Sequence, residues 1–190
     1  MNIGVYGGAF NPIHLGHLIL AQNAALEYSL DFVLFVVSLN PPHKSADNMV
    51  SFEHRYRMTE LALGDSDKFR VSDIEKQVSG KSYTYFVLQK IKEFYGEDNN
   101  YFLIIGEDEA NYFHKWYRYE QIMEMCRVLV GNRNNELPEN SLKFESIKTP
   151  LIEISSSDIR ERVALGKPVF YLTEKSVVRY IFENKLYMTE

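Results

Sequence analysis

The residues best suited to chemistry in this 190-residue chain are two histidines three positions apart, His14 and His17. They lie in the stretch Gly7-Gly8-Ala9-Phe10-Asn11-Pro12-Ile13-His14-Leu15-Gly16-His17. Residues three apart on a helix share a side, so both imidazoles would face one pocket. Either ring can donate a hydrogen bond to a phosphate oxygen. A fixed donor counts most where negative charge grows in a transition state, and losing one typically costs roughly a hundredfold to a thousandfold in rate. Spacing alone also fits an ordinary surface pair or half of a zinc site. The chain has one cysteine, Cys126, which makes a structural zinc site a poor fit.

The flanking residues supply the elements that must position this pair. Ile3, Val5 and Tyr6 predict a short strand, after which Gly7 and Gly8 are expected to let the backbone turn sharply and a phosphate come close. From Leu15 the apolar residues Leu18, Ile19, Ala21, Ala25 and Leu26 recur at helical spacing. The loop therefore ends at a helix N-terminus, where free N–H groups and the helix dipole favour an anion. Neither G-x-x-x-x-G-K-[ST] nor G-x-G-x-x-G is present, so this is a different kind of phosphate loop.

Other polar groups fall at the ends of further apolar runs. The run Phe32–Val37 reads as a strand buried on both faces and is followed by Asn40-Pro41-Pro42-His43-Lys44. In an open parallel sheet, ligands collect beyond the carboxyl ends of the strands, which puts Lys44 near the first loop as a point charge for phosphate. Ser51 predicts a capped helix to about Leu63, with Arg55 and Arg57 on its polar faces. Phe69–Ser72 is a short strand candidate, and Ser82-Tyr83-Thr84-Tyr85 opens the next helix. Tyr101–Ile105 is another buried strand, ending at Gly106-Glu107-Asp108, where Asp108 suits either ribose hydroxyls or a helix N-cap. The aromatic run Tyr112–Tyr117 holds the only tryptophan, Trp116, on which a flat ring would stack. Arg127–Val130 predicts a strand followed by Gly131-Asn132-Arg133. Ser155-Ser156-Ser157 reads as a capped helix start with Arg160 as a fork for phosphates. Thr173 is expected to cap a last helix whose inward residues include Val177, Val178 and Ile181.

Size and composition predict one globular domain spanning residues 1–190, with 45% hydrophobic residues to fill its core. A net charge of -5 gives no basic stripe for nucleic acid. A lone cysteine argues for a reducing compartment, and no apolar run reaches the roughly 18 residues of a membrane span. A soluble, cytoplasmic chain without a signal peptide is expected. Strands alternating with helices predict an α/β three-layer sandwich, Rossmann-like, with a mostly parallel sheet and helices on both faces. Oligomeric state is left open.

Gly-Gly-x-Phe-x-Pro-x-His-x-Gly-His resembles the signature of the nucleotidylyltransferase superfamily, and later stretches resemble its bacterial nicotinate-nucleotide adenylyltransferases. Those stretches are Pro41-Pro42-His43-Lys44, Tyr83-Thr84, His114-Lys115-Trp116-Tyr117 and Ile154-Ser155-Ser156-Ser157-x-Ile159-Arg160. The resemblance covers Ile3 to about Tyr187. It implies transfer of AMP from ATP to nicotinate mononucleotide, with Mg²⁺ bound along with the ATP. It further implies that His14, His17, Lys44 and Arg160 are catalytic. Gly7, Gly8, Ala9, Phe10, Gly106, Asp108, Ser155, Ser156 and Ser157, together with His17 and Arg160, would hold ATP, and Lys44, Tyr83, Thr84, Trp116, Tyr117 and Arg133 the acceptor. No protein-held metal is implied. Phe86 and Val87 stand where the family usually has Asp and Thr, and burial is the simple expectation for both. Nicotinamide mononucleotide and phosphates on other scaffolds stay open as acceptors, and so does a domain that binds a nucleotide without turning it over.

Overall fold

The computed structural model describes residues 1–39, 49–132, 142–150 and 152–189. Among them are the strands β1 (Asn2–Gly8), β2 (Phe32–Val37), β3 (Phe69–Ser72), β4 (Asn100–Gly106), β5 (Arg127–Asn132) and β6 (Phe144–Lys148). The helices are α1 (Leu15–Glu27), α2 (Phe52–Leu63), α3 (Thr84–Tyr95), α4 (Glu107–Tyr112), α5 (Tyr119–Met125), α6 (Ser156–Ala164) and α7 (Lys175–Glu183). The strands form one sheet in the order β3-β2-β1-β4-β5-β6, with every neighbouring pair parallel. Strand order reverses between β1 and β4, and the crevice beyond their carboxyl ends is where such sheets bind ligands.

Alternation along the central strands builds two cores. In β2, Val33, Phe35 and Val37 pack with α1, α2, α6 and α7, while Phe32, Leu34 and Val36 pack on the other face with α3, α4 and α5. All six residues of β2 are buried, as the continuous apolar run predicted. Ser51 caps α2 by accepting from the His54 N–H, and Gly166, at φ 64°, follows the end of α6. Among the described residues no helix is long and apolar enough to cross a membrane.

Several local expectations are corrected. Gly7 and Gly8 stay in β1, paired with Val36 and Val37, and the turn falls at Phe10, whose φ is 45°. Gly8 serves the turn indirectly, because a Cβ there would lie 2.9 Å from the Phe10 ring. Arg55 is not on a polar face but is 2% exposed, pointing back under the β1 and β2 tips. Glu174 is the N-cap of α7, and the Thr173 hydroxyl donates instead to the Ile13 carbonyl at 2.8 Å. Gly106 is the N-cap of α4, which puts Asp108 in its first turn. Strand β6 and helix α5 were not predicted from sequence, since Phe144–Lys148 carries only two buried positions and α5 only one.

Cys126 sits in the core beside α5 and donates to the Ile122 carbonyl. Burial pushes its thiol up to about 12. A folded-state pKa above the unfolded value of about 9 stabilises the fold at pH below that value, and the contribution is lost as pH rises toward 12, because the unfolded chain gives up its proton first. The expected loss is about 1.4 kcal/mol per pH unit in that window. Denaturant unfolding at pH 8 and pH 11 should therefore show a smaller alkaline loss in Cys126→Ala than in the wild type; equal losses would contradict it.

Candidate active site

The loop from Ala9 to His14 is held from behind by its carbonyls. Arg55 Nη1 donates to Ala9 O at 3.0 Å, Arg160 Nη1 to Asn11 O at 2.8 Å, Ser156 to Pro12 O at 2.9 Å and Thr173 to Ile13 O at 2.8 Å. The Asn11 side chain is fixed too, its Oδ1 accepting from the Tyr187 hydroxyl at 2.8 Å and from Val50 N–H at 3.4 Å. Partners come from α2, from α6 and from the segments before and after α7, so distant parts of the chain set one short loop. With carbonyls drawn away, the front of the loop is open to negative charge, as an anion site requires.

His14 and His17 come together as their spacing predicted, although His14 is the extended N-cap of α1 and only His17 lies in the first turn. Their rings stack at 3.7 Å between centroids, with His14 buried and His17 half-buried. The His14 backbone N–H donates to His17 Nδ1 at 3.2 Å. A backbone N–H can only donate, so in the neutral ring Nδ1 is the acceptor and the proton sits on Nε2. His17 is thereby fixed as an Nε2–H donor, and the Phe10 ring against its edge at 5.1 Å holds the plane. Gly16 makes room, for a Cβ there would lie 3.0 Å from His14 Nδ1.

In front of the histidines lies a cleft of about 360 Å³, lined by Tyr6, His14, Gly16 and His17, by Gly106–Glu109, and by Gly131 and Ile154 among others. It stands at the carboxyl ends of β1, β4 and β5, where the reversal of strand order places a ligand. Burial raises the Tyr6 hydroxyl well above its ordinary range, with Glu109 adding to the rise, so it stays protonated at neutral pH. Gly106 lies beneath Glu109, whose Oε2 would be 2.7 Å from an added Cβ.

The three serines each have a distinct place. Ser155 caps α6 by accepting from Asp158 N–H, Ser156 holds the loop, and Ser157 accepts from Arg160 Nη2 at 3.2 Å. Arg160 is thus anchored to the loop by one nitrogen and to Ser157 by the other. Sequence reasoning missed Arg55, Thr173 and Tyr187 as loop supports; an arginine in a helix and residues near the C-terminus carry no local signal for a contact so far along the chain.

A second group lies at the start of α3. The Tyr83 and Tyr117 rings stack at 4.7 Å, Phe86 packs on Tyr117 at 5.6 Å, and the Arg118 guanidinium lies 5.3 Å from the Tyr117 ring and 4.9 Å from Tyr85. Thr84 is the first residue of α3, and half-buried Trp116 packs on Phe113. Of the unusual pair, Val87 is core and Phe86 extends the aromatic stack. Lys44 and Arg133 lie outside the described residues.

Residues 5–162 match the family described as Cytidylyltransferase-like. A relative from Thermoanaerobacter sp. (strain X514), named "Probable nicotinate-nucleotide adenylyltransferase", is 37% identical over 98% of this chain and 94% of its own. One of the same name from Oceanobacillus iheyensis is 35% identical over 97% of this chain and 96% of its own. The chain belongs to the nicotinate-nucleotide adenylyltransferase family. The solved structure of the nicotinic acid mononucleotide adenylyltransferase of Plasmodium falciparum complexed with NaAD shares the fold, with a TM-score of 0.80 and 22% identity over 98% of this chain and 97% of that one.

Gly16→Ala tests the histidine geometry of this family member. The added methyl pushes on His14, and misplacement of a reacting constellation by even about 1 Å can cost roughly a hundredfold. Expected is a roughly ten- to hundredfold loss of kcat in nucleotide transfer at an unchanged melting temperature, whereas full activity would show that the ring position is unimportant.

Proposed function

We propose that this chain transfers AMP from ATP to the phosphate of nicotinate mononucleotide, giving nicotinate adenine dinucleotide and pyrophosphate, a step in making NAD. The observation that carries the reading is the loop of Ala9–His14, carbonyls tied back and His17 fixed as an Nε2–H donor, beside a cleft at the switch point of the sheet. Family membership at the level of 35–37% identity over nearly the whole length supports the acceptor.

The chemistry follows from the parts. A phosphate oxygen of the mononucleotide attacks the α-phosphorus of ATP in line, the bond from that phosphorus to the α,β-bridging oxygen breaks, and pyrophosphate leaves with the electron pair. Monoester phosphate is already largely ionised near neutral pH, so no protein base is required. Catalysis then rests on positioning and on stabilising charge that grows on phosphate oxygens. His17 donates from Nε2 and His14 lies stacked beside it. In this reading the loop N–H groups hold phosphate, Gly106 and Asp108 line the ATP side, and Arg160 and the serines bear on ATP through the loop and the α6 start that they hold. Lys44 and Arg133 join the charge-bearing side chains on the same reading. The acceptor's ring lies against the aromatic residues around Trp116, with Tyr83, Thr84 and Tyr117.

The triphosphate would carry Mg²⁺ with it. A hard cation of this kind takes phosphate and water oxygens, with one or two carboxylates where they are at hand; Glu107 and Asp108 line the cleft and would be the carboxylates beside a cation held mainly by the triphosphate. Its contribution, when bound, is to offset charge on the phosphates. Residues 1–190 would then act as one catalytic domain, on small molecules and in the cytoplasm.

The test is pyrophosphate release from Mg²⁺ and ATP with nicotinate mononucleotide, nicotinamide mononucleotide and phosphopantetheine in parallel. The highest kcat/KM is expected for nicotinate mononucleotide, and His17→Ala should lower kcat roughly a hundredfold to a thousandfold while its melting curve is retained. Preference for another acceptor would overturn the substrate assignment, and unchanged kcat in the variant would overturn the role of His17.

A further inference from the structure

Arg55 and Glu75 are two buried charged residues that the proposed chemistry leaves unused. Arg55 is 2% exposed and Glu75 6% exposed. Arg55 donates from Nε to Val50 O at 3.1 Å, from Nη1 to Ala9 O at 3.0 Å and Ser38 O at 2.6 Å, and from Nη2 to Leu39 O at 3.3 Å. All of these acceptors are main-chain carbonyls, in the phosphate loop, in the tip following β2 and in the approach to α2. Glu75 Oε2 accepts from Leu39 N–H and from the Ser82 hydroxyl, both at 2.8 Å. Leu39 is therefore gripped from both sides, its C=O by Arg55 and its N–H by Glu75. The contacts run without a break from Ala9 through Arg55, Leu39 and Glu75 to Ser82, which directly precedes Tyr83 and Thr84.

Burying charge is costly. Burial lowers the Arg55 guanidinium from its ordinary range, opposed by Tyr187, Glu75 and Glu53, and it raises the Glu75 carboxyl, opposed by hydrogen bonds from Leu39, Ser82 and Ser38 and by the charge of Arg55. An apolar side chain would fill either volume at lower cost. What an apolar side chain lacks is the planar fork that reaches separate segments at once. The two ends of the chain of contacts are the loop that faces ATP and the segment that faces the acceptor.

We propose that Arg55 and Glu75 are positioning residues, a buried relay that fixes the phosphate loop relative to the acceptor segment without touching either substrate. The inference rests on the adenylyl-transfer reading above. Because transfer requires the acceptor phosphate and the α-phosphorus to meet in line, slack between the two segments lowers kcat more than it weakens the binding of either substrate. A side chain that only stabilises the fold would lower the melting temperature and leave kcat per folded molecule unchanged.

The experiment compares Arg55→Lys, Glu75→Ala, Glu75→Gln and the double variant Arg55→Lys/Glu75→Ala in pyrophosphate release, with KM for ATP and for nicotinate mononucleotide measured separately. Arg55→Lys and Glu75→Ala should each lower kcat about tenfold or more with each KM within about threefold, in line with the cost of misplacement. Glu75→Gln, which keeps an acceptor oxygen, should recover to within about threefold of the wild type. The double variant should lose no more than the worse single, because both changes cut one line of contacts. Losses that multiply, or a lowered melting temperature with kcat intact, would overturn the relay. Should Arg55→Lys not fold, the Glu75→Ala and Glu75→Gln pair decides through the same split. If the wild type itself turns over no acceptor, the activity reading falls and the relay is judged by amide exchange. ATP should then slow exchange at Tyr83 and Thr84 in the wild type but not in Glu75→Ala, and no slowing in the wild type would overturn it.

Discussion

The structure depends on one constraint: the carbonyls of the Ala9–Ile13 loop must face away from the cleft. A loop of this length has no ladder of its own to pair them, and a buried carbonyl left unpaired costs about as much as a lost hydrogen bond. Arg55, Arg160, Ser156 and Thr173 take up that duty. They come from α2, from α6 and from the turn before α7, so the outer layer is arranged around the loop as much as around its own core. The same contacts that close the fold on that face turn the carbonyls away from the side of the loop where we propose that an anion binds.

From this follows the use of the histidines. Because the loop leads directly into α1 with His14 as its N-cap, the His14 backbone N–H is free of the helix ladder and can orient His17 through Nδ1. The ring that would face phosphate thus takes its orientation from main chain. Aromatic packing of Tyr6, Phe10 and Phe35 around it makes the arrangement rigid. The proposed acceptor side is built differently, from stacked rings at the α3 start, with Phe86 adding to the stack formed by Tyr83 and Tyr117.

What was legible in the sequence divides along physical lines. Continuous apolar runs gave β2 and β4, and helical spacing gave α1 and the inward face of α7, because those signals are local and burial is their only cause. The loop running into α1 and the meeting of the two histidines were legible for the same reason, since residue type and short spacing carry both. The turn at Phe10 was not, because a positive φ at a bulky residue is imposed by packing and glycine is the usual expectation. Nor was Arg55: its carbonyl partner Ala9 lies 46 residues away, and an arginine next to polar neighbours reads as surface. Thr173 and Tyr187 escaped in the same way, being ordinary residues until the chain brings them against Ile13 and Asn11.

The most direct measurement is backbone amide NMR of the ¹⁵N-labelled chain during titration with Mg²⁺ and ATP. The account predicts the largest downfield shifts, together with slowed hydrogen exchange, at the amides of the Ala9–His17 stretch and near Gly106, with His17 keeping its Nε2 proton. Saturable ATP binding that leaves the Ala9–His17 amides unmoved would contradict it, because the loop would then not be the phosphate site.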